Sequence, residues 1–233
     1  MSFIGDVLSE ALDVLSDFGP ELREVVWLTL LVSGLATLIG VVIGVPLGVW
    51  LGLDRFRGRG FLLTLVNAGM GMPPVLAGLL LLLLLWSEGP LGALGGLFTP
   101  WAMVAAQALL AIPIAAGLTA AAARGLTGDA REQLDALRLS KLRRGWLAGV
   151  EVWPGVAAAI AAAFGRVVSE VGAVLVVGGN IKGETRVLTT AIVQEARQAR
   201  FGAAVALGVM LVVMALIVNG AITWIQLREV KDA

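Results

Sequence analysis

Long apolar runs separated by short polar intervals dominate the chain. Five runs are each long enough to cross a bilayer as a helix, at about residues 25–53, 61–86, 101–123, 152–176 and 203–225. The longest polar interval, residues 124–149, lies between the third and fourth runs. The pattern therefore predicts an all-α membrane protein with five spans.

The first twenty residues have a different pattern. Apolar side chains recur on one helical face, while acidic residues such as Asp6, Glu10 and Asp13 lie on the other. Such a segment is too polar to cross a membrane, and Gly19-Pro20 ends it. We predict an amphipathic helix over residues 1–20 that lies in the membrane interface.

Composition removes several classes of chemistry. The chain has 58% hydrophobic residues and a mean hydropathy of +0.92, values far from those of a soluble domain. It contains no cysteine and no histidine, which excludes disulfides, thiol catalysis, imidazole acid–base chemistry and most zinc sites. With a formal net charge of zero, nothing indicates nucleic-acid binding. We expect no catalytic residue, no metal and no cofactor bound by this chain.

The basic residues of the loops predict an orientation. Eleven fall on one side, in residues 54–60, 124–149 and the C-terminal tail, against five on the other side. The side richer in basic residues is the cytoplasmic one. This places the N-terminus outside, the C-terminus inside and the 124–149 loop in the cytoplasm.

Two features of the first two spans suggest close packing and a break. Glycines repeat every fourth residue in the first span, a face that lets another helix approach closely and offers a surface for tight assembly: Gly40, Gly44, Gly48 and Gly52. The second span is interrupted by Gly69, Gly71 and Pro73-Pro74. Backbone groups freed by such a break must face protein or a water-filled path.

Polar residues inside the spans are candidates for a path. Arg166 and Glu170 are four residues apart in the fourth span, which would place them on one helical face. They either line a path or only stabilise packing. A turn and a short helix, at about residues 188–197, follow that span. The segment 178–185 nearly matches a phosphate-binding loop, but Glu184 replaces its lysine, so we reject nucleotide binding there.

Residues 124–149 predict a helix with leucines at helical spacing, beginning after Asp129 as a possible cap. The loop resembles the coupling signature of ABC importer permeases, which is Glu-Ala-Ala, three residues, Gly, nine residues and Ile-x-Leu-Pro. Glu132 takes the glutamate position and Arg138 the glycine position, and residues 148–151 replace Ile-x-Leu-Pro. The resemblance implies ATPase coupling by five residues: Glu132, Asp135, Leu137, Arg138 and Leu142.

Two longer segments carry a more specific resemblance. Residues 70–121 and 164–192, the latter with the wording GGNIKGETRVLTTAI, resemble permeases of the molybdate/tungstate/sulfate branch and look most like the tungstate type. The resemblance covers residues 22–229. It implies a type I importer membrane domain that works as a homodimer with two cytoplasmic ATPases, which use the ATP, and an extracytoplasmic oxyanion-binding protein in a prokaryotic cell membrane.

A path for a tetrahedral dianion needs hydroxyl, amide and backbone groups with few fixed charges. Besides Arg166 and Glu170, the candidates are Asn67, Gln107, Asn180, Thr189 and Thr190. Molybdate and sulfate remain alternative cargoes. A membrane anchor without a path and a secondary transporter remain alternative functions, although no internal repeat supports the latter.

Overall fold

The computed structural model describes residues 3–17 and 19–232, with side chains through residue 228. Met1, Ser2 and Phe18 of the predicted interfacial helix lie outside the described residues. In the described part all regular structure is helical. Its α-helices are α1 (Phe3–Ser16), α2 (Pro20–Leu53), α3 (Arg59–Met70), α4 (Pro74–Leu85), α5 (Pro100–Arg124), α6 (Gly128–Ala136), α7 (Lys141–Glu151), α8 (Trp153–Val168), α9 (Gly172–Gly178), α10 (Leu188–Arg197) and α11 (Phe201–Asp232). A 3₁₀ turn covers Gly92–Leu94.

Three of the described helices are long and apolar enough to cross a membrane by themselves, namely α2, α5 and α11. Two further pairs pass the same test only when taken together, α3 with α4 and α7 with α8, and these pairs are bent by 100° and 81°. The described residues therefore contain three candidate spans, or up to five when each bent pair counts as one.

The breaks follow from local sequence. α3 ends at Met70, and Pro73 precedes α4, which has Pro74 at its first position, where a missing N–H costs nothing. The fourth apolar run breaks as well, because α8 ends at Val168 and α9 begins only at Gly172. The interruption of the second run was predicted, whereas that of the fourth was not.

Contacts divide the chain into two compact units. The first unit comprises Met1–Leu35, Pro73–Gln107 and Val167–Val218. Within it α4 packs against α9 so closely that a Cβ added to Gly78 would lie 2.8 Å from the Cα of Ala173. The helix segments that follow the two breaks thus pack on each other.

In the same unit, α1 lies against the start of α11. The backbone N–H of Gly202 donates to Glu10 Oε2 at 3.2 Å, and the rings of Phe3 and Phe201 meet edge to face. The large apolar side chains of α1 that remain mostly exposed are Phe3, Ile4, Leu8 and Leu12.

The second unit comprises Ala36–Met72, Ala108–Arg166 and Asn219–Ala233. Here the glycine face of α2 packs on α5. A Cβ added to Gly44 would lie 2.7 Å from the carbonyl oxygen of Ile112, and one added to Gly48 would lie 2.5 Å from that of Ala116. The face predicted as a surface for assembly is therefore occupied within the chain itself.

Candidate functional site

The 124–149 loop folds as two short helices, α6 and α7, joined by a tight turn. Thr127 caps α6, because its Oγ1 accepts a hydrogen bond from the Ala130 N–H at 3.3 Å. Asp129, predicted as the cap, lies instead in the first turn of α6, where its charge suits the helix dipole. Thr127 starts the helix two residues earlier than predicted.

The turn between α6 and α7 has a left-handed residue at Arg138, with a φ of +47°. This is the position at which the resembled signature has glycine. A side chain in this conformation costs about 1–2 kcal/mol relative to the right-handed one, a cost that glycine does not carry. The chain therefore makes the sharp turn without the residue that usually permits it.

One leucine of the loop anchors it. Leu134 is buried in a cluster with Val49 and Leu53 from the end of α2 and with Ala148 from α7. Burying a leucine side chain stabilises such an arrangement by about 1.5–3 kcal/mol. Within the second unit, the cluster attaches the α6–α7 pair to the end of α2.

An arginine that the sequence did not single out adds polar connections. Arg144 Nη1 lies 2.9 Å from Asp54 Oδ1, just after α2, and its Nη2 lies 2.9 Å from Asp135 Oδ1 on α6. Asp135, predicted as a coupling residue, thus contacts the loop's own arginine. No local spacing predicts this pairing, since Asp54 and Arg144 are separated by 90 positions.

The other predicted coupling residues point outward. Glu132 and Arg138 are exposed, Leu137 is 58% exposed and Leu142 is 88% exposed. Trp146, one turn after Leu142 on α7, is 74% exposed. We call these five residues the exposed loop surface. Apolar side chains left in water on a rigidly held loop are typical of a binding surface.

Three of the seven path candidates meet at the break between α8 and α9. Gln107 Nε2 donates to the Val167 carbonyl oxygen at 3.1 Å, and Thr189 Oγ1 donates to the Glu170 carbonyl oxygen at 3.0 Å. Glu170 Oε1 accepts the N–H groups of Gly172 and Ala173 at 2.8 and 3.3 Å. The bonds of Thr189 and Glu170 pair backbone groups at the break, and Gln107 adds a second donor to the Val167 carbonyl oxygen, which also accepts the Glu170 N–H.

The structure corrects the prediction that Arg166 and Glu170 share a helical face. Arg166 lies near the end of α8, whereas Glu170 follows the end of that helix. Glu170 is buried and Arg166 is exposed. The spacing of four residues does not place the two side chains on one helical face, because α8 ends between them at Val168.

The remaining candidates lie elsewhere. Thr190 is buried in the first turn of α10, where its hydroxyl donates to the Val187 carbonyl oxygen at 3.0 Å. Asn180 has a φ of +55° and its side-chain N–H donates to Gln194 Oε1. Asn67 lies exposed on α3 in the second unit. The seven candidates are therefore divided between the two units, with Asn67 and Arg166 in the second and the other five in the first.

A compact turn precedes α10, which spans the predicted residues 188–197. The N–H groups of Glu184, Thr185 and Arg186 all donate to the Ile181 carbonyl oxygen, at 3.2, 2.9 and 3.0 Å. The buried hydroxyl of Thr185 donates to the Gly178 carbonyl oxygen and accepts the Ile181 N–H. This segment is held by its own backbone bonds.

Sequence reasoning also missed Thr29. Its Oγ1 donates to the Val25 carbonyl oxygen at 2.7 Å and accepts the Leu188 N–H at 2.9 Å, at the start of α10. A threonine inside an apolar span was the available signal. Its partner, 159 positions away, was not predictable from local pattern.

Residues 44–231 match the family described as binding-protein-dependent transport system inner membrane component. The chain is also similar to three curated proteins over most of its length. The tungstate uptake system permease protein TupB of Peptoclostridium acidaminophilum is 34% identical over 226 residues, which is 97% of this chain and 99% of the relative.

The protein of the same name from Campylobacter jejuni is 33% identical over 94% of this chain and 92% of its own length. A probable anion ABC transporter permease protein of Haloferax volcanii is 36% identical over 82% of this chain and 84% of its own length.

Proposed function

Because the chain belongs to the family of binding-protein-dependent transport inner membrane components, and is thus a multi-pass permease subunit of such an importer, we propose that its cargo is tungstate. Both relatives that carry a tungstate name align over nearly the whole chain. Tungstate, molybdate and sulfate are similar tetrahedral dianions. Discrimination among them belongs mainly to the binding protein that delivers the anion.

The proposal assigns ATP to partner subunits. Two cytoplasmic ATPases bind and hydrolyse it, two copies of this chain enclose the path, and an extracytoplasmic protein brings the anion. The N-terminus lies outside and the C-terminus in the cytoplasm. This chain binds no cofactor and makes or breaks no covalent bond, so its contribution is a gated path.

The observation that carries the coupling mechanism is the exposed loop surface on α6 and α7. Leu134 and Arg144 attach these helices to the end of α2, while Leu137, Leu142 and Trp146 remain exposed. A movement of the ATPases against this surface is transmitted to α2 because the loop is fixed to that helix by both apolar and charged contacts. We propose that the two copies thereby switch between outward-facing and inward-facing states.

At the other end of the proposed cycle, the turn before α10 receives the loaded binding protein. Ile181 and Lys182 are exposed there on a backbone that three hydrogen bonds to one carbonyl hold in place. Lys182 pairs with Glu21 at 2.8 Å, but both side chains are well exposed, so this pair adds little stability. A preformed turn loses little conformational entropy on docking.

The cluster at Gln107, Glu170 and Thr189 supports the path indirectly. Their polar groups bond to backbone exposed by the α8–α9 break, and irregular backbone at membrane depth is tolerated only beside protein or a water-filled cavity. We propose that the path runs beside this break. In this proposal the three side chains stabilise the irregular backbone beside the path.

The test is ATP hydrolysis in proteoliposomes that contain this chain with its partner ATPase and binding protein. We expect stimulation by the binding protein loaded with tungstate and none by the empty protein. If the binding protein stimulated hydrolysis at lower concentrations of molybdate or sulfate than of tungstate, that anion would be the cargo in place of tungstate. An ATPase that never assembles with this chain would refute the coupling assignment.

Two substitutions test the exposed loop surface directly. Glu132→Arg and Leu137→Asp should reduce transport at least tenfold, because they reverse a charge and remove an apolar contact. Glu88→Arg and Leu94→Asp are matched controls, since both residues are exposed and lie outside the loop. Unchanged transport in the first pair would show that the ATPase docks elsewhere.

A further inference from the structure

The second unit contains a cavity of about 560 Å³ between the end of α2, the length of α7 and the start of α8. This volume lies within the range of about 300–1,000 Å³ typical of ligand pockets. Its walls are mainly apolar and include three tryptophans, Trp50, Trp146 and Trp153. Two residues of the exposed loop surface, Leu142 and Trp146, also line this cavity, but most of its wall comes from α2, the start of α8 and other residues of α7.

The charged residues that line this cavity are Lys141, Arg144 and Asp54. Asp54 is paired with Arg144 at 2.9 Å. Within the described part of the chain, Lys141 has no acidic partner within salt-bridge distance. Arg144 is also paired with Asp135 at 2.9 Å, so Lys141 is the charged residue of this lining that is left to pair with an anion.

Two N–H donors on lining residues also lack acceptors in the described structure: Arg144 Nε and Trp153 Nε1, both of which are buried atoms. A buried donor without an acceptor costs about 1–3 kcal/mol. A ligand with oxygen acceptors would remove this cost. The walls thus suit a molecule that is apolar along most of its length and carries a negatively charged, oxygen-rich end.

The position along the chain identifies the source of such a molecule. The apolar run of α2 ends at Leu53 and is followed at once by Asp54 and three arginines within residues 55–59. The cavity is therefore located where a span meets water, the level at which tryptophans are enriched and lipid headgroups lie. Basic pockets at this level bind anionic headgroups.

We infer that this cavity is a binding site for an anionic phospholipid, with an acyl chain among Val49, Trp50 and Trp153 and the phosphate near Lys141. A free phosphate would leave the apolar walls uncovered, and a zwitterionic lipid would bring a positive group of its own beside Lys141. Because α7 forms one wall, the lipid holds α7 against the end of α2. The site goes beyond the proposed transport and does not depend on the cargo.

The first experiment uses the unmodified full-length chain. Phosphatidylglycerol with brominated acyl chains, mixed into detergent micelles of the protein, should quench tryptophan fluorescence at least fivefold more effectively than brominated phosphatidylcholine at equal mole fraction. Native mass spectrometry should show retained phosphatidylglycerol. Equal quenching and equal retention of the two lipids would overturn the inference.

Substitutions then locate the lipid. Lys141→Gln should remove the preference for phosphatidylglycerol, and Arg57→Gln, which changes an exposed arginine outside the cavity, should leave it intact. Gly149→Leu should abolish retention of both lipids, because Gly149 lines the cavity and a Cβ there has only ordinary contact with Val49 at 3.8 Å. Gly60→Leu is its control, since a Cβ at Gly60 meets open space.

Thermal unfolding of each variant shows whether it is folded. If Gly149→Leu does not fold, the lipid preference of Lys141→Gln tests the inference by itself. Three results would overturn the inference. The first is an unchanged lipid preference in Lys141→Gln. The second is folded Gly149→Leu that retains lipid as before but has an altered oligomeric state. The third is folded Gly149→Leu that retains lipid as before but no longer binds the ATPase. The last two would assign the cavity to a second copy or to the ATPase.

Discussion

At the residue scale, the buried polar side chains of this apolar chain bond mainly to its own backbone. Thr29, Gln107 and Thr189 each reach a carbonyl or N–H group at the end of a helix or at a break. In a bilayer no water replaces such a partner, so an unsatisfied backbone group costs several kcal/mol. The polar residues predicted as path lining thus have a structural role that the sequence pattern did not distinguish.

Thr29 tests this role. Thr29→Val should lower the free energy of unfolding by about 1–3 kcal/mol, because it leaves the buried Leu188 N–H without an acceptor. Thr29→Ser keeps the hydroxyl and should lose less than half as much. Thr64→Val is the control, since Thr64 is exposed on α3. Thermal unfolding in detergent measures all three, and equal stability of Thr29→Val and Thr29→Ser would contradict the role.

Arg138 gives a second prediction at this scale. Arg138→Gly should stabilise the protein by about 1 kcal/mol, because glycine adopts a φ of +47° without steric cost. Arg143→Gly, in the first turn of α7, should destabilise it by up to about 1 kcal/mol. Thermal unfolding of the two variants checks the opposite signs. Destabilisation by both would show that the Arg138 side chain makes contacts worth more than the strain.

At the scale of elements, small residues determine how the helices approach. Four of the glycines of α2, at positions 40, 44, 48 and 52, lie against Ala111, Ala116 and their neighbours on α5, where added Cβ atoms would lie 2.5–2.7 Å from the nearest atoms of that helix. Between membrane helices the hydrophobic effect does not drive association, so the dispersion energy of this close contact stabilises the pair. The α2–α5 pair should therefore be sensitive to added volume.

Gly48→Ala should destabilise the protein by about 1–3 kcal/mol through overpacking. Its new Cβ would meet backbone, the Ala116 carbonyl oxygen at 2.5 Å, which cannot rotate away. Gly34→Ala on the same helix is the matched control, because nothing lies within 4 Å of its Cβ position. It should be neutral or up to about 1 kcal/mol stabilising through helix propensity. Thermal unfolding that ranks the two variants equally would contradict close packing of α2 and α5.

At the scale of the whole molecule, the proposed topology has a direct test, because the chain contains no cysteine. In the proposed orientation, a membrane-impermeant maleimide should label a Glu184→Cys variant in intact cells. It should label Ser140→Cys only after permeabilisation. Both residues are exposed, so accessibility within the protein does not limit either reaction. The reverse pattern would place the α6–α7 loop outside and exclude it as an ATPase contact.

Part of the candidate site was predictable from the sequence and part was not. The helical loop itself follows from polar residues interleaved with leucines between two apolar runs, but the pattern did not show that Leu134 is buried while Leu137 and Leu142 are exposed. The position of Arg144 does not, since its partners Asp54 and Asp135 come from two different elements. The break after Val168 was also missed, because Ser169, Glu170 and Val171 include no proline or glycine.

By itself the sequence determined that this is an all-helical membrane protein, where its apolar runs lie and which chemistries it lacks, because hydropathy and residue type are local properties. Only the tertiary structure decided that the glycine face of α2 is occupied by α5, that the Glu170 carboxylate accepts the first N–H groups of α9 instead of sharing a helix with Arg166, and that α2, α7 and α8 enclose a cavity. These depend on which distant segments meet. The complementary shapes of the helices and the need to pair their backbone groups determine which segments meet, and a local sequence pattern does not show this.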